Sequence, residues 1–192
     1  MALKTDTVFH TPWFQIAAVD PGVEASGPTE PYYCLIRQNG VIGLVLDEAG
    51  RIVLIDQYRP PLGRTTLEMP AGAIDEGETP DQAMAREILE ETGFVCERLV
   101  QVTPCRVMLN RENVIEYFYI GLRARRNSSS VIDKEQVTVR LLERELFLGL
   151  VTSHRFEQTV ALGGIYAADK IFGIDLLADE IIAIESRLLA RA

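Results

Sequence analysis

Between Thr79 and Gly93 the chain reads as one helix with a defined start, a defined stop and two unlike faces. Thr79 is a natural N-cap, Pro80 suits the first helical position, and Gly93 suits the residue just past the end. Within it, Glu87, Glu90 and Glu91 stand at i, i+3 and i+4 and share one face, whereas Ala85, Ile88, Leu89 and Thr92 fall on another. A helix of this kind needs an apolar layer behind it, so the rest of the chain must supply a sheet or further helices to receive it.

The acidic face is the unusual part. The stretch from Pro70 to Phe94 holds seven carboxylates, and like charges at helical spacing repel one another. Glu90 and Glu91 lie at the C-terminal end, where the helix dipole disfavours them, and Arg86 offsets only part of the repulsion. A solvated charged face is one reading of these residues. The other is a site for Mg²⁺ or Mn²⁺, hard cations that take oxygen ligands.

The remaining layers can be read from shorter signals. YYCLIRQ, VIGLVLD and RIVLIDQY are rich in β-formers and separated by Asn39-Gly40 and by Glu48 to Gly50, which predicts a β-meander. Val8 to Val19 predicts one or two short strands, and Asp20 to Pro31 a loop. Strands are expected near Val95–Thr103, Val114–Leu122 and VTVRLL, and helices over Arg144–Leu150, Arg155–Lys170 and Leu176–Ala190. In the last, Leu177, Ile181, Ile184 and Leu188 recur at helical spacing. The fold class is therefore α/β, a mixed sheet covered by helices.

Charge narrows the function. The net charge of −9 makes a nucleic-acid partner a poor expectation, because phosphate contacts need clustered Lys and Arg. An anionic small substrate would need a divalent cation to screen the repulsion. Cys34, Cys96 and Cys105 form neither a disulfide framework nor a zinc motif and are expected to be buried thiols. His10 and His154 show no metal spacing. The N-terminus lacks a long apolar stretch of signal-peptide type, and no apolar run is long enough to span a bilayer. The expectation is a cytoplasmic protein with no membrane partner.

Gly72, Glu78, Arg86, Glu87, Ile88, Glu90, Glu91, Gly93 and Phe94 match every fixed position of the Nudix box. The stretch resembles the Nudix hydrolases, which cleave nucleoside diphosphates linked to another moiety. The resemblance implies a Nudix-type α/β/α sandwich in which the box forms a loop–helix–loop, and a requirement for Mg²⁺ or Mn²⁺. Carried over by position, it makes Glu87 and Glu91 metal ligands, helped by Glu90 and the backbone carbonyl of Ala71. Arg86 is implied to orient the glutamates.

The resemblance reaches further upstream. Gln57-Tyr58-Arg59-Pro60, followed by Leu67-Glu68-Met69-Pro70-Ala71-Gly72, is similar to the ADP-ribose pyrophosphatase branch. That branch implies an N-terminal β-region used in a swapped homodimer. The expected organisation is such a region over residues 1–40 and a Nudix hydrolase domain with C-terminal helices over residues 41–192. ADP-ribose is the first choice of substrate, hydrolysed to a nucleoside monophosphate and a sugar phosphate. One departure stands out: members that favour ADP-ribose usually carry a proline-glycine pair where this chain reads RVMLNREN. Other nucleotide sugars such as GDP-mannose therefore stay open as alternatives; a non-catalytic regulator that binds such a ligand is a separate alternative, although the box glutamates that a pure binding module could lose are all present. An RNA-cap hydrolase fits the box but not the acidic chain.

Outside the box, the resemblance places a catalytic carboxylate in a downstream loop. VIDKEQV is the matching stretch, so Glu135 is the first candidate for the general base and Asp133 the second. Glu112 is a further candidate near the substrate. Arg59 and Arg64 suit phosphate or ribose, since guanidinium groups pair well with phosphate oxygens. Tyr58, Phe9 or Trp13 could stack on a base, although aromatics in strands more often belong to a core.

Overall fold

The computed structural model describes residues 5–19, 32–127 and 137–190. Strands β1 (Thr5–His10), β2 (Gln15–Val19) and β3 (Tyr32–Ile36) form an antiparallel three-stranded sheet. The larger sheet is built from β4 (Gly40–Asp47), β5 (Ile52–Arg59), β6 (Arg64–Glu68), β7 (Ala71–Ala73), β8 (Phe94–Val95), β9 (Arg98–Cys105), β10 (Glu116–Arg126) and β11 (Val137–Leu142). Its main path runs β11-β5-β4-β10-β8, with β6 on β5, β7 on β4 and β9 on β10. The β4–β10 pair is parallel, in register from Gly40↔Glu116 to Val45↔Gly121, and the other ladders are antiparallel. The helices are α1 (Pro80–Thr92), α2 (Arg144–Thr152), α3 (Thr159–Phe172) and α4 (Ile181–Leu189).

Strand periodicity explains the layers. Side chains of β4 alternate between the two faces of the sheet. Val41 and Val45 pack with Ala83, Met84 and Ile88 of α1. Ile42, Leu44 and Leu46 pack on the other side with Phe147, Ala161, Ala168, Ile184 and Leu188 from the three C-terminal helices. The sheet is thus covered on both faces, as an α/β/α sandwich requires. Two glycines allow the close approach: a Cβ on Gly43 would stand 3.0 Å from Met84 Sδ, and one on Gly164 of α3 would overlap the Phe118 ring.

The glutamate-bearing helix α1 is bounded as expected. Thr79 accepts from Gln82 N–H while Gln82 accepts from Thr79 N–H, a capping box, and Gly93 takes φ 70° at the C-cap. Its buried face is turned from the expected one. Met84, Ile88 and Thr92 form the i, i+4, i+8 seam with Ala83, while Ala85 is exposed and Leu89 half-buried.

Other boundaries shift for local reasons. YYCLIRQ leaves the meander, since its strand pairs with β2 rather than with β4. The expected strand over Val95–Thr103 is divided into β8 and β9. The helix expected from Leu176 starts at Ile181, because the Asp175 carboxylate accepts from the Leu177 and Ala178 N–H groups at 2.9 and 3.1 Å and holds a turn there. α3 starts at Thr159 rather than Arg155. The three cysteines are free and half-buried rather than fully buried, and burial pushes the Cys96 thiol up to about 12. Among the described residues, no helix is long and apolar enough to cross a membrane.

Candidate active site

β7 and α1 build the site together. β7 pairs with the first residues of β4, which sets Ala71–Ala73 against the sheet, and the chain then loops through Gly77, at φ 83°, into the capped start of α1. α1 is tied to the sheet by Tyr119, whose hydroxyl meets Asp81 Oδ1 at 2.6 Å and Gln101 Oε1 at 2.9 Å. Burial and Asp81 together push that phenol well above its ordinary range.

Arg86 is the hub of the acidic face. Its Nε donates to Glu78 Oε1 at 3.0 Å and its Nη2 to Glu78 Oε2 at 2.9 Å and to the Ala73 carbonyl at 2.8 Å. Its Nη1 donates to Glu87 Oε1 at 2.7 Å and Glu90 Oε2 at 3.2 Å. One planar guanidinium therefore holds three carboxylates, a geometry that a lysine lacks. The bonds to Arg86 hold the Glu78 carboxyl below its usual value, and the same carboxylates raise Arg86. Glu87 moves the other way: burial outweighs Arg86 and lifts its carboxyl above the ordinary range.

Glu87 and Glu91 converge on one dipeptide. The Glu87 carboxylate fills the space that a Cβ on Gly72 would need, and Glu91 Oε2 accepts from Ala71 N–H at 2.9 Å. Glu90 is turned toward Arg86. Among the described residues, no three acidic, histidine or cysteine side chains converge as a ready metal cluster. The arrangement brings two carboxylates, from Glu87 and Glu91, against the Ala71–Gly72 backbone.

The other expected site residues fall elsewhere. Arg59 donates to both Glu68 oxygens, at 2.8 and 2.6 Å, and Arg64 pairs with Glu157. Both arginines line a cleft of about 860 Å³ between β5, β6, β11, α2 and the segment that leads into α3, with Glu68 and Gln158 among its lining residues. Glu112 is buried and pairs with Arg37 at 3.2 Å; Arg37 also donates to Glu116 at 2.8 Å. This link joins β3 to the segment before β10. Tyr58, Phe9 and Trp13 are exposed (53%, 53% and 80%), so the core reading of these aromatics is overturned. Asp133 and Glu135 lie outside the described residues. Glu68, Gln158, Arg37 and Glu116 are the polar partners that the sequence did not single out for these residues. Only Glu68 carried a signal, its place beside Pro70-Ala71-Gly72.

A mixed sheet between helical layers, with a loop–helix–loop presenting carboxylates on one side, defines a scaffold class. The class has a family: residues 36–157 match the NUDIX domain, and the chain belongs to that family. Among its relatives is an ADP-ribose pyrophosphatase of Bacillus subtilis (strain 168), 36% identical over 70 residues, covering 36% of this chain and 38% of the relative. Another is the putative nudix hydrolase 2 of Caenorhabditis elegans, 38% identical over 100 residues, covering 52% of this chain and 41% of the relative. The chain thus spans well under two thirds of the length of these curated relatives. A solved structure described as an ADP compounds hydrolase shares the fold, with a TM-score of 0.75, 16% identity, and 90% and 94% of the two chains covered.

Proposed function

We propose that this protein hydrolyses the pyrophosphate bond of a nucleoside-diphosphate sugar, with ADP-ribose as first substrate, in a reaction that depends on Mg²⁺ or Mn²⁺. The observation that carries the reading is the convergence of Glu87 and Glu91 on Ala71–Gly72, with Arg86 holding Glu78, Glu87 and Glu90. The family and the ADP-ribose pyrophosphatases among its relatives support it.

Glu87, Glu91 and the Ala71 carbonyl would hold the cation, with Glu90 in support; all are oxygen donors, as a hard cation prefers. When bound, such a cation neutralises the diphosphate and acidifies a water. Arg86 keeps the glutamates in place. Arg59 and Arg64 contact the phosphates or sugar, and Glu112, held by Arg37, borders the substrate. Glu135, or Asp133 in its place, takes the proton from the attacking water. This division of labour suits phosphoryl transfer, where positioning and charge neutralisation dominate.

The N-terminal region over residues 1–40 is proposed to serve a homodimer. Its support is the set of exposed aromatics on and beside β1–β3, including Phe9, Trp13 and Tyr33. A cytoplasmic setting without nucleic-acid or membrane partners completes the reading.

One panel tests the reaction: ADP-ribose, ADP-glucose, UDP-glucose, GDP-mannose and dinucleotides, each with Mg²⁺ and with chelator, scored for monophosphate release. Release that requires the metal and is fastest from ADP-ribose is expected. Turnover of GDP-mannose alone would move the substrate, and no turnover of any member would leave a ligand-binding regulator.

A further inference from the structure

Gln158 stands at the N-cap of α3, yet its side chain makes no cap hydrogen bond. Glutamine is not among the favoured caps, which are Ser, Thr, Asp and Asn. A local rule is broken here, and such breaks concentrate at functional or strained sites. The side chain is used elsewhere. Its Oε1 accepts from Met69 N–H at 2.8 Å, and its Nε2 reaches Glu68 Oε2 at 3.4 Å.

Both partners lead to residues assigned above. Glu68 holds Arg59 in a bidentate pair and accepts from the Thr66 hydroxyl at 2.5 Å. Met69 is followed by Pro70 and then by Ala71–Gly72, the dipeptide on which Glu87 and Glu91 converge. Met69 is fully buried, so its N–H has no solvent to fall back on if Gln158 is removed. One amide thus sits at the fork between an arginine proposed for substrate and the loop proposed for the cation.

We infer that Gln158 is a positioning residue that sets the register between the Arg59 cleft and the Ala71–Gly72 loop. It touches no reacting atom; it acts through Glu68 on one branch and through Met69 N–H on the other. The inference rests on the proposed hydrolase reading for its effect on turnover, but not for its effect on structure. Small displacements at a reacting centre are costly: a shift of about 1 Å can cost on the order of a hundredfold in rate.

The test uses the full chain and two variants, Gln158→Ala and Gln158→Glu. Gln158→Glu keeps the acceptor for Met69 N–H but sets a carboxylate beside Glu68. Amide exchange at Met69 and Ala71 and the Arg59 Nε–H signal are followed by NMR, and ADP-ribose hydrolysis with Mg²⁺ is measured alongside. Gln158→Ala is expected to speed exchange at both amides, to disturb the Arg59 signal, and to lower kcat by at least about tenfold with less effect on KM. Gln158→Glu is expected to preserve Met69 protection while still disturbing Arg59. A Gln158→Ala protein with unchanged Met69 exchange and an unchanged Arg59 signal overturns the inference. So does a uniform loss of protection that includes core strands β4 and β10, which marks a plain stability effect. If the wild-type protein hydrolyses no nucleoside-diphosphate sugar of the panel, the proposed hydrolase function fails while the NMR readout still decides the role of Gln158.

Discussion

The Glu87 carboxylate occupies the place where a side chain on Gly72 would stand. The two residues lie on different elements, β7 and α1, and the missing Cβ of one is the seat of the other. Gly72 is therefore needed for its emptiness. Gly72→Ala is expected to drive Glu87 out of position and to lower kcat by about a hundredfold or more, with a smaller change in melting temperature. Steady-state kinetics paired with thermal unfolding checks this, and near-normal turnover would show that Glu87 does not need that seat.

Glu91→Gln keeps an oxygen to accept from Ala71 N–H, so the loop contact survives while the charge is lost. The fold should remain intact by circular dichroism. Hydrolysis supported by Mg²⁺ should fall by at least about a hundredfold, the scale on which electrostatic stabilisers act. Unchanged turnover would remove Glu91 from the proposed cation site.

The base is decided by a pair of variants. Glu135→Gln should lower kcat by about two or more orders of magnitude with little effect on substrate binding, as expected for loss of general-base catalysis. If Asp133→Asn does this and Glu135→Gln does not, the assignment passes to Asp133.

Stability tests the packing behind the site. Gly164 of α3 lies against the ring of fully buried Phe118, and an added methyl would overlap that ring. Gly164→Ala is expected to cost about 1–3 kcal/mol in urea unfolding, the usual range for overpacking. Unaltered stability would mean that α3 can back away from the sheet at little cost.

The Arg59–Glu68 pair predicts a pH dependence. Burial would raise the Glu68 carboxyl, but Arg59 and the Thr66 hydroxyl outweigh it and hold it below its ordinary value of 4.5. A carboxylate with a lowered folded value binds fewer protons than in the unfolded chain, so its contribution is complete above pH 4.5 and declines as pH falls through the folded value. The stability difference between wild type and Glu68→Gln should shrink as pH is lowered below that range. A difference that grows in acid would reverse the sign.

Much of this protein was determined by rules that act over a few residues. Caps at Thr79 and Gly93, the shared face of Glu87, Glu90 and Glu91, and the strand runs are set by backbone geometry and side-chain period, so the sequence alone carries them. The fixed spacing from Gly72 to Phe94 was equally legible. The tertiary structure decided what the helix faces meet. It placed Met84 rather than Ala85 against the sheet, took Tyr32–Ile36 out of the meander, and set Gln158 on Met69, 89 residues away. It also gave Arg59 and Glu112 their partners in Glu68 and Arg37. Those contacts depend on strand order and on how helices dock across a sheet. Periodicity specifies which side of an element is apolar, but it leaves open which distant element covers it.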